Sequence, residues 1–107
     1  MNTSPDPIDR YFDLAAGADL DAYLDQFDDD AVVVDEGNTY AGRAALRRWR
    51  TSVGGVRYRR QTTTVDGSGA TEARAEVSGD FPGSPVTLTY VFTFTADGRV
   101  RSLRIEP

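Results

Sequence analysis

Residues 86–106, VTLTYVFTFTADGRVRSLRIE, read as two strands around one turn. Val86, Leu88, Tyr90, Phe92 and Phe94 fall on one face, and Thr87, Thr89, Thr93 and Thr95 on the other. That period of two marks a strand with one buried side. Asp97-Gly98 suits a two-residue type I′ turn, which sets Tyr90 opposite Ile105 and Phe92 opposite Leu103. A slip of one residue would bring Arg104 and Ser102 to the apolar face instead, so the first register is expected.

Upstream, strands near 56–65 and 70–79 precede this hairpin, separated by Asp66-Gly-Ser-Gly69 and by Phe81-Pro-Gly-Ser-Pro85. Together with strands near 86–95 and 99–106 they make a four-strand antiparallel meander. In its first hairpin Arg59 should oppose Glu76 on the outer face. The inward set would be Tyr58, Arg60, Thr62 and Thr64, facing Val77, Ala75, Ala73 and Thr71. Arg60 does not suit a dry interior, so it ends at a rim or points into a wet cavity.

The first half of the chain is mostly helical. Ser4-Pro-Asp-Pro7 is a helix start, and Ile8, Tyr11, Phe12 and Ala15 follow as one apolar stripe up to Gly17. Asp19 can cap a second helix carrying Leu20, Tyr23, Leu24 and Phe27. It should end near Phe27, because Asp28-Asp29-Asp30 is disfavoured at a helix C-terminus. Those three aspartates lack the alternating spacing and glycine of a calcium loop and read as a solvated acidic turn. Residues 31–35 form a short β-branched strand, Gly37-Asn38 a turn, and Thr39-Tyr40-Ala41 a segment that pairs back. A third helix spans 42–53, with Ala45, Leu46, Trp49 and Val53 inward and Arg43, Arg47, Arg48 and Arg50 largely outward, stopped by Gly54-Gly55. The sum is a single α+β domain, 1–107, whose helices cover one face of a curved sheet and leave room for a pocket.

Composition removes many chemistries. The chain has no Cys and no His, so zinc fingers, haem ligation, thiol nucleophiles and Ser-His-Asp catalysis are excluded. All 12 basic residues are Arg, which also excludes Schiff-base lysine chemistry. No metal or cofactor is expected. Residues 1–36 hold 11 acids and one Arg, whereas residues 37–107 hold 6 acids and 11 Arg. With a net charge of −5 and no aromatic-basic motif, this is an acidic helical layer beside an Arg/Glu-paired sheet, and nucleic acid is not an expected partner. No apolar stretch approaches the ~18 residues of a membrane span. The polar, acidic start lacks signal-peptide character, so a cytoplasmic location is expected.

What remains for chemistry is carboxylate and phenol. Asp35 ends an apolar strand on the face of Val33 and Ala31, while Glu36 follows Val34 and Val32, so one of these carboxylates faces inward. A carboxylate walled by apolar groups suits general-base removal of a proton from carbon. The same residues, Asp35-Glu36-Gly37-Asn38, also read as a plain polar hairpin turn. Tyr11 lies on the buried stripe of the first helix and Tyr90 on the inward face of its strand. A buried phenol must find a partner and can donate to a carbonyl that becomes an enolate; each also reads as an ordinary core tyrosine. Trp49, Tyr58 and Phe92 would supply flat walls, with Tyr23 and Tyr40 as weaker candidates. Val33, Leu103 and Arg60 complete the candidate ligand-binding set.

The layout of Phe27-x3-Ala-Val-Val-Val-Asp35 followed by Tyr40-Ala-Gly42-Arg-x-Ala-Leu46-x2-Trp49 resembles the NTF2-like superfamily, closest to its SnoaL-like and ketosteroid-isomerase-like members. The resemblance covers nearly the whole chain. It implies a cone-shaped fold with a curved antiparallel sheet wrapped on three helices, a deep apolar pocket, and a homodimer formed through the sheet. Tyr11, in Arg10-Tyr11, matches the isomerases' oxyanion tyrosine, and Asp35 matches their proton-shuttling aspartate. Where those enzymes hold a protonated Asp on the third meander strand, this chain has Tyr90. The implied function is cofactor-free enolisation of a small apolar carbonyl compound, in the manner of an isomerase or polyketide cyclase. The alternative is a non-catalytic dimeric module that binds a small ligand or a protein.

Overall fold

Asp6 opens the fold by capping α1 (Pro7–Ala16): its carboxylate accepts the Ile8 N–H at 2.7 Å, and Pro7 sits in the first turn, where a missing N–H costs nothing. The computed structural model describes residues 6–53, 56–65 and 69–107. The expected Ser4 cap, the Gly54-Gly55 stop and the Asp66-to-Ser68 part of the first hairpin turn lie outside the described residues. Ile8, Tyr11, Phe12 and Ala15 form the buried stripe of α1. Asp19 caps α2 (Leu20–Asp25) through the Ala22 N–H at 3.0 Å, and Tyr23 and Leu24 are its buried pair.

Phe27 ends no helix; it starts β1 (Phe27–Asp35). The expected acidic turn is therefore part of a strand. Its ladder is irregular between Phe27 and Val32, which leaves Asp29 and Asp30 exposed while Asp28 lies 3.4 Å from Arg99. A bulged stretch tolerates carboxylates because their side chains can stay in water. At the other end, Glu36 and Gly37 both take positive φ (52° and 77°) and make the turn into β2 (Asn38–Ala41), with Asp35 paired to Asn38. The turn thus sits one residue earlier than Gly37-Asn38. Gly42, at φ 83°, leads into α3 (Arg43–Ser52), whose Leu46 and Trp49 are buried.

The meander follows as β3 (Val56–Val65), β4 (Thr71–Gly79), β5 (Val86–Phe94) and β6 (Val100–Glu106). One six-stranded sheet results, in the order β2-β1-β6-β5-β4-β3. Every neighbouring pair is antiparallel except β1 and β6, which run parallel because α3 carries the chain across before the meander begins. Three register irregularities bend the sheet around the helices into the expected cone.

Tyr90 opposes Ile105 and Phe92 opposes Leu103, as expected. The turn that delivers this register is different. Thr95 N–H donates to the Arg99 carbonyl (2.8 Å), Gly98 N–H donates to the Thr95 carbonyl (3.0 Å), and Gly98 takes φ 88°. This is a three-residue turn with a left-handed glycine, and a shift between Thr93 and Phe94 restores the register beyond it. In the first hairpin Arg59 opposes Glu76, but the ladder shifts between Arg60 and Thr62. Beyond the shift Thr63, not Thr62, faces Ala73, and Val65, not Thr64, faces Thr71. One extra residue reverses the alternation, so Thr62 and Thr64 leave the inward row.

The core lies between the helices and the inner face of the sheet. Tyr11, Tyr23, Leu24, Leu46, Phe92 and Leu103 are no more than 1% exposed. Aromatic rings dominate it: Tyr11 meets Phe12, Tyr23, Phe27, Tyr90 and Phe92, with centroids 5.1–6.5 Å apart. No helix among the described residues is long and apolar enough to cross a membrane.

Candidate active site

Asp35 is placed by the end of β1, paired across to Asn38 and alongside Ile105 of β6. It is half-buried. From α3, the indole N–H of Trp49 donates to Asp35 Oδ2 at 3.0 Å, and Oδ1 has no partner among the described residues. One carboxylate oxygen is thus fixed and the other is free to accept a proton.

Tyr11 and Tyr23 share a buried hydrogen bond, hydroxyl to hydroxyl, at 2.9 Å. When Tyr23 donates, the Tyr11 proton is available to a ligand. Tyr90, on β5, packs its ring 6.0 Å from that of Tyr11, and its hydroxyl has no hydrogen-bond partner among the described residues. Burial raises Tyr11 well above the ordinary phenol range, with Tyr23 and Tyr58 adding to the effect. Burial likewise raises Tyr90, with Tyr11 and Tyr58 contributing, and raises Tyr23 against the opposing pull of Arg50. All three are therefore neutral donors at physiological pH.

Asp35, Tyr11, Tyr90, Trp49 and Tyr58 line one cavity of about 80 Å³, closed by Val53, Val77, Leu88 and Ile105. That is well below the ~300 Å³ at which ligand pockets commonly begin, so it holds only the reacting end of a larger molecule or a very small one. The expected deep pocket is, in this structure, a small one. Phe92, Val33 and Leu103 do not reach it. They point inward from their strands but are completely enclosed by core side chains. Arg60 lies outside too, at the rim, paired with Asp9, bonded to Thr63 at 3.0 Å and 5.8 Å from the Phe12 ring. There Arg60 lines a separate open hollow of about 820 Å³ with Asp9, Asp13, Tyr58 and Thr63, so the wet surroundings expected for it are present, but outside the cavity that holds Asp35.

Arg50 is the lining residue that sequence analysis assigned to the outside. It is half-buried and lines the cavity. It donates to the Tyr58 hydroxyl (3.1 Å) and the Ala15 carbonyl (2.8 Å), and its guanidinium lies 4.4 Å from the Tyr23 ring centroid. Burial works against its charge, but the ring of phenols from Tyr23, Tyr11 and Tyr58 more than offsets this and holds it above the ordinary arginine range. A signal was present. Leu46, Trp49, Arg50 and Val53 stand at i, i+3, i+4 and i+7, so position 50 belongs to the apolar stripe despite its charge.

Chemically, the cavity offers a base with one free oxygen, two phenol donors and a cation within apolar walls. Among the described residues no group of three acidic side chains could hold a metal ion.

Comparison with known proteins agrees with this architecture. No curated protein matches the chain. Among solved structures, a Sinorhizobium meliloti protein provisionally named a polyketide cyclase is 43% identical, covers 96% of this chain and 95% of its own, and superposes with a TM-score of 0.86. The epoxide hydrolase/cyclase-like enzyme SalBIII, which takes part in pyran ring formation in the polyether salinomycin, is 23% identical over 94% of this chain and 86% of its own (TM-score 0.73). A protein of ketosteroid isomerase-like fold from Catenulispora acidiphila is 17% identical over 98% and 87% (TM-score 0.80). The SnoaL-like domain family matches residues 8–103, which takes in every element from α1 to the middle of β6. Built as an NTF2-like cone and matched over nearly its whole length, the chain belongs to the SnoaL-like domain family.

Proposed function

We propose that the protein is a cofactor-free acid–base enzyme of the cyclase or isomerase type, acting on a small carbonyl compound. The observation that carries this is that Asp35, its Oδ1 without a partner among the described residues, lines one small cavity with Tyr90 and Tyr11. Asp35 takes a proton from the carbon next to the carbonyl, and the C–H electron pair becomes the enolate double bond. The carbonyl oxygen takes the negative charge and is met by the phenol donors, which cost no reorganisation because they are already in place. Return of the proton to another carbon gives isomerisation. Attack of the enolate carbon on a second carbonyl gives an aldol-type ring closure. The similarity to a protein named as a polyketide cyclase supports the second outcome.

Exchange of α-hydrogens of small ketones and oxo acids in D2O, followed by proton NMR, tests the base. Asp35→Asn preserves shape and removes the acceptor. Exchange should fall about 10²–10⁴-fold; survival within about tenfold rejects the mechanism.

The outward face of β1, β5 and β6 favours a second reading. Val32, Val34 and Val91 flank a shallow hollow of about 440 Å³ there. In this reading the protein is a non-catalytic module that dimerises through the sheet and binds a ligand in the cone. Sedimentation of the wild type against Val91→Arg tests the sheet-mediated dimer, which should dissociate in the variant, and ligand binding in the cone with no α-hydrogen exchange separates this module from the enzyme.

A further inference from the structure

Arg50 stands at the junction of two hollows. Inward it lines the cavity that holds Asp35. Outward, with Tyr23, Val53 and Val56, it lines a groove of about 300 Å³ beside the turn from Gly17 to Asp19. A guanidinium is always charged, and withdrawing it from water is costly unless an anion or several hydrogen bonds replace the lost hydration. Arg50 makes no ion pair among the described residues: the Tyr23 ring, 4.4 Å away, and the Tyr58 and Ala15 oxygens support its charge, and its other N–H groups are left for a ligand at the groove. The cavity already contains a carboxylate that could have served. Asp35 is instead held by Trp49, beyond ion-pair distance of Arg50. The two opposite charges face one small space and leave each other unpaired.

We propose that the substrate carries a carboxylate, bound by Arg50 where the groove meets the cavity, so that the substrate class is a small oxo acid and not a neutral ketone. This rests on the acid–base reading above for the word substrate, though the anion site itself does not need turnover. The arrangement separates the tasks. Arg50 holds the permanent anion through its remaining N–H groups, as guanidinium does for carboxylates, while Asp35 faces the acidic C–H. Placing the anion away from Asp35 also spares the ligand the repulsion of a second carboxylate.

Binding to the full chain, read from Trp49 fluorescence and amide NMR shifts, tests it with two matched pairs: acetate against acetamide, and 2-oxobutanoate against butanone. Each acid should bind at least about tenfold tighter than its neutral partner, with shifts centred on α3 and the turn from Gly17 to Asp19. Arg50→Met should abolish that preference. Arg50→Lys should keep part of it, which covers the possibility that the methionine variant fails to fold. Asp35→Asn should keep or strengthen it while losing exchange activity. Equal binding of acids and neutral partners overturns the proposal, as does an acid preference that survives in Arg50→Met or maps to the exposed arginines of β3. The two readings fail separately. An Arg50-dependent acid preference without any exchange activity removes the enzyme and keeps the anion site; exchange of neutral ketones without acid preference does the reverse.

Discussion

Tyr90 and Phe92 are two residues apart on β5, on the same inward face, and both are buried. They live in different regions. Around Phe92 the core is solid: Val33, Leu103 and Val100 are no more than 1% exposed. Around Tyr90 the same sheet face borders a cavity, with Asp35, Arg50 and Tyr11 facing in. Polar groups keep the upper region open, because filling it would strand a carboxylate and a guanidinium without partners. The apolar region below can close completely and supply the stability that the open region gives up. Holding power and reactivity are thus placed in adjacent layers of one sheet.

The sharpest way to break this contrast is to empty the solid layer. Phe92→Ala should destabilise the protein by about 3–5 kcal/mol in urea unfolding, the usual cost of deleting a buried ring. The folded fraction should keep its activity, because Phe92 does not line the cavity. Tyr90→Phe should invert the pattern. Its hydroxyl has no partner among the described residues, so stability should move by less than ~1 kcal/mol, while exchange activity should fall about 10²-fold, or ~2.7 kcal/mol of transition-state stabilisation. A comparable loss of stability in both variants would erase the distinction between the layers.

A smaller effect comes from the phenols. Burial raises Tyr11, Tyr23 and Tyr90 above their ordinary value of 10.0. A group raised in the folded state contributes stability that is fully present below its unfolded value and is lost as pH climbs past it. The urea midpoint should therefore stay level only up to about pH 9. As the pH passes 10 it should fall steadily, with phenolate absorbance at 295 nm lagging behind that of the unfolded chain.

Much of this was legible in the residues themselves. Alternation on β5 set the register against β6, even though the turn joining them turned out to be a different one, since the apolar rows and not the turn decide which faces meet. The caps at Asp19 and the stripe from Ile8 to Ala15 needed only local rules. Where local rules failed, a neighbour decided the outcome. The shift in β3 expelled Thr62 and Thr64 from the inward row, and the bulged start of β1 took in three aspartates that looked like a turn. Arg50 failed for a different reason. Charge suggested the surface, while spacing placed it on the apolar stripe with Leu46, Trp49 and Val53. Only the ring of Tyr23 and the hydroxyl of Tyr58, contributed by distant segments, make that position tolerable for a cation.

Periodicity, caps and apolar alternation determined the elements, the class of fold and the inward row that holds Tyr90 and Phe92, because each depends on residues within one or two turns of the chain. Tertiary packing alone decided which inward residues border empty space, which oxygen of Asp35 is held by Trp49, and that Arg50 lines the same cavity without an ion pair among the described residues. Those are relations between α1, α3, β1 and β5, set by bulges and bends whose positions no local spacing encodes.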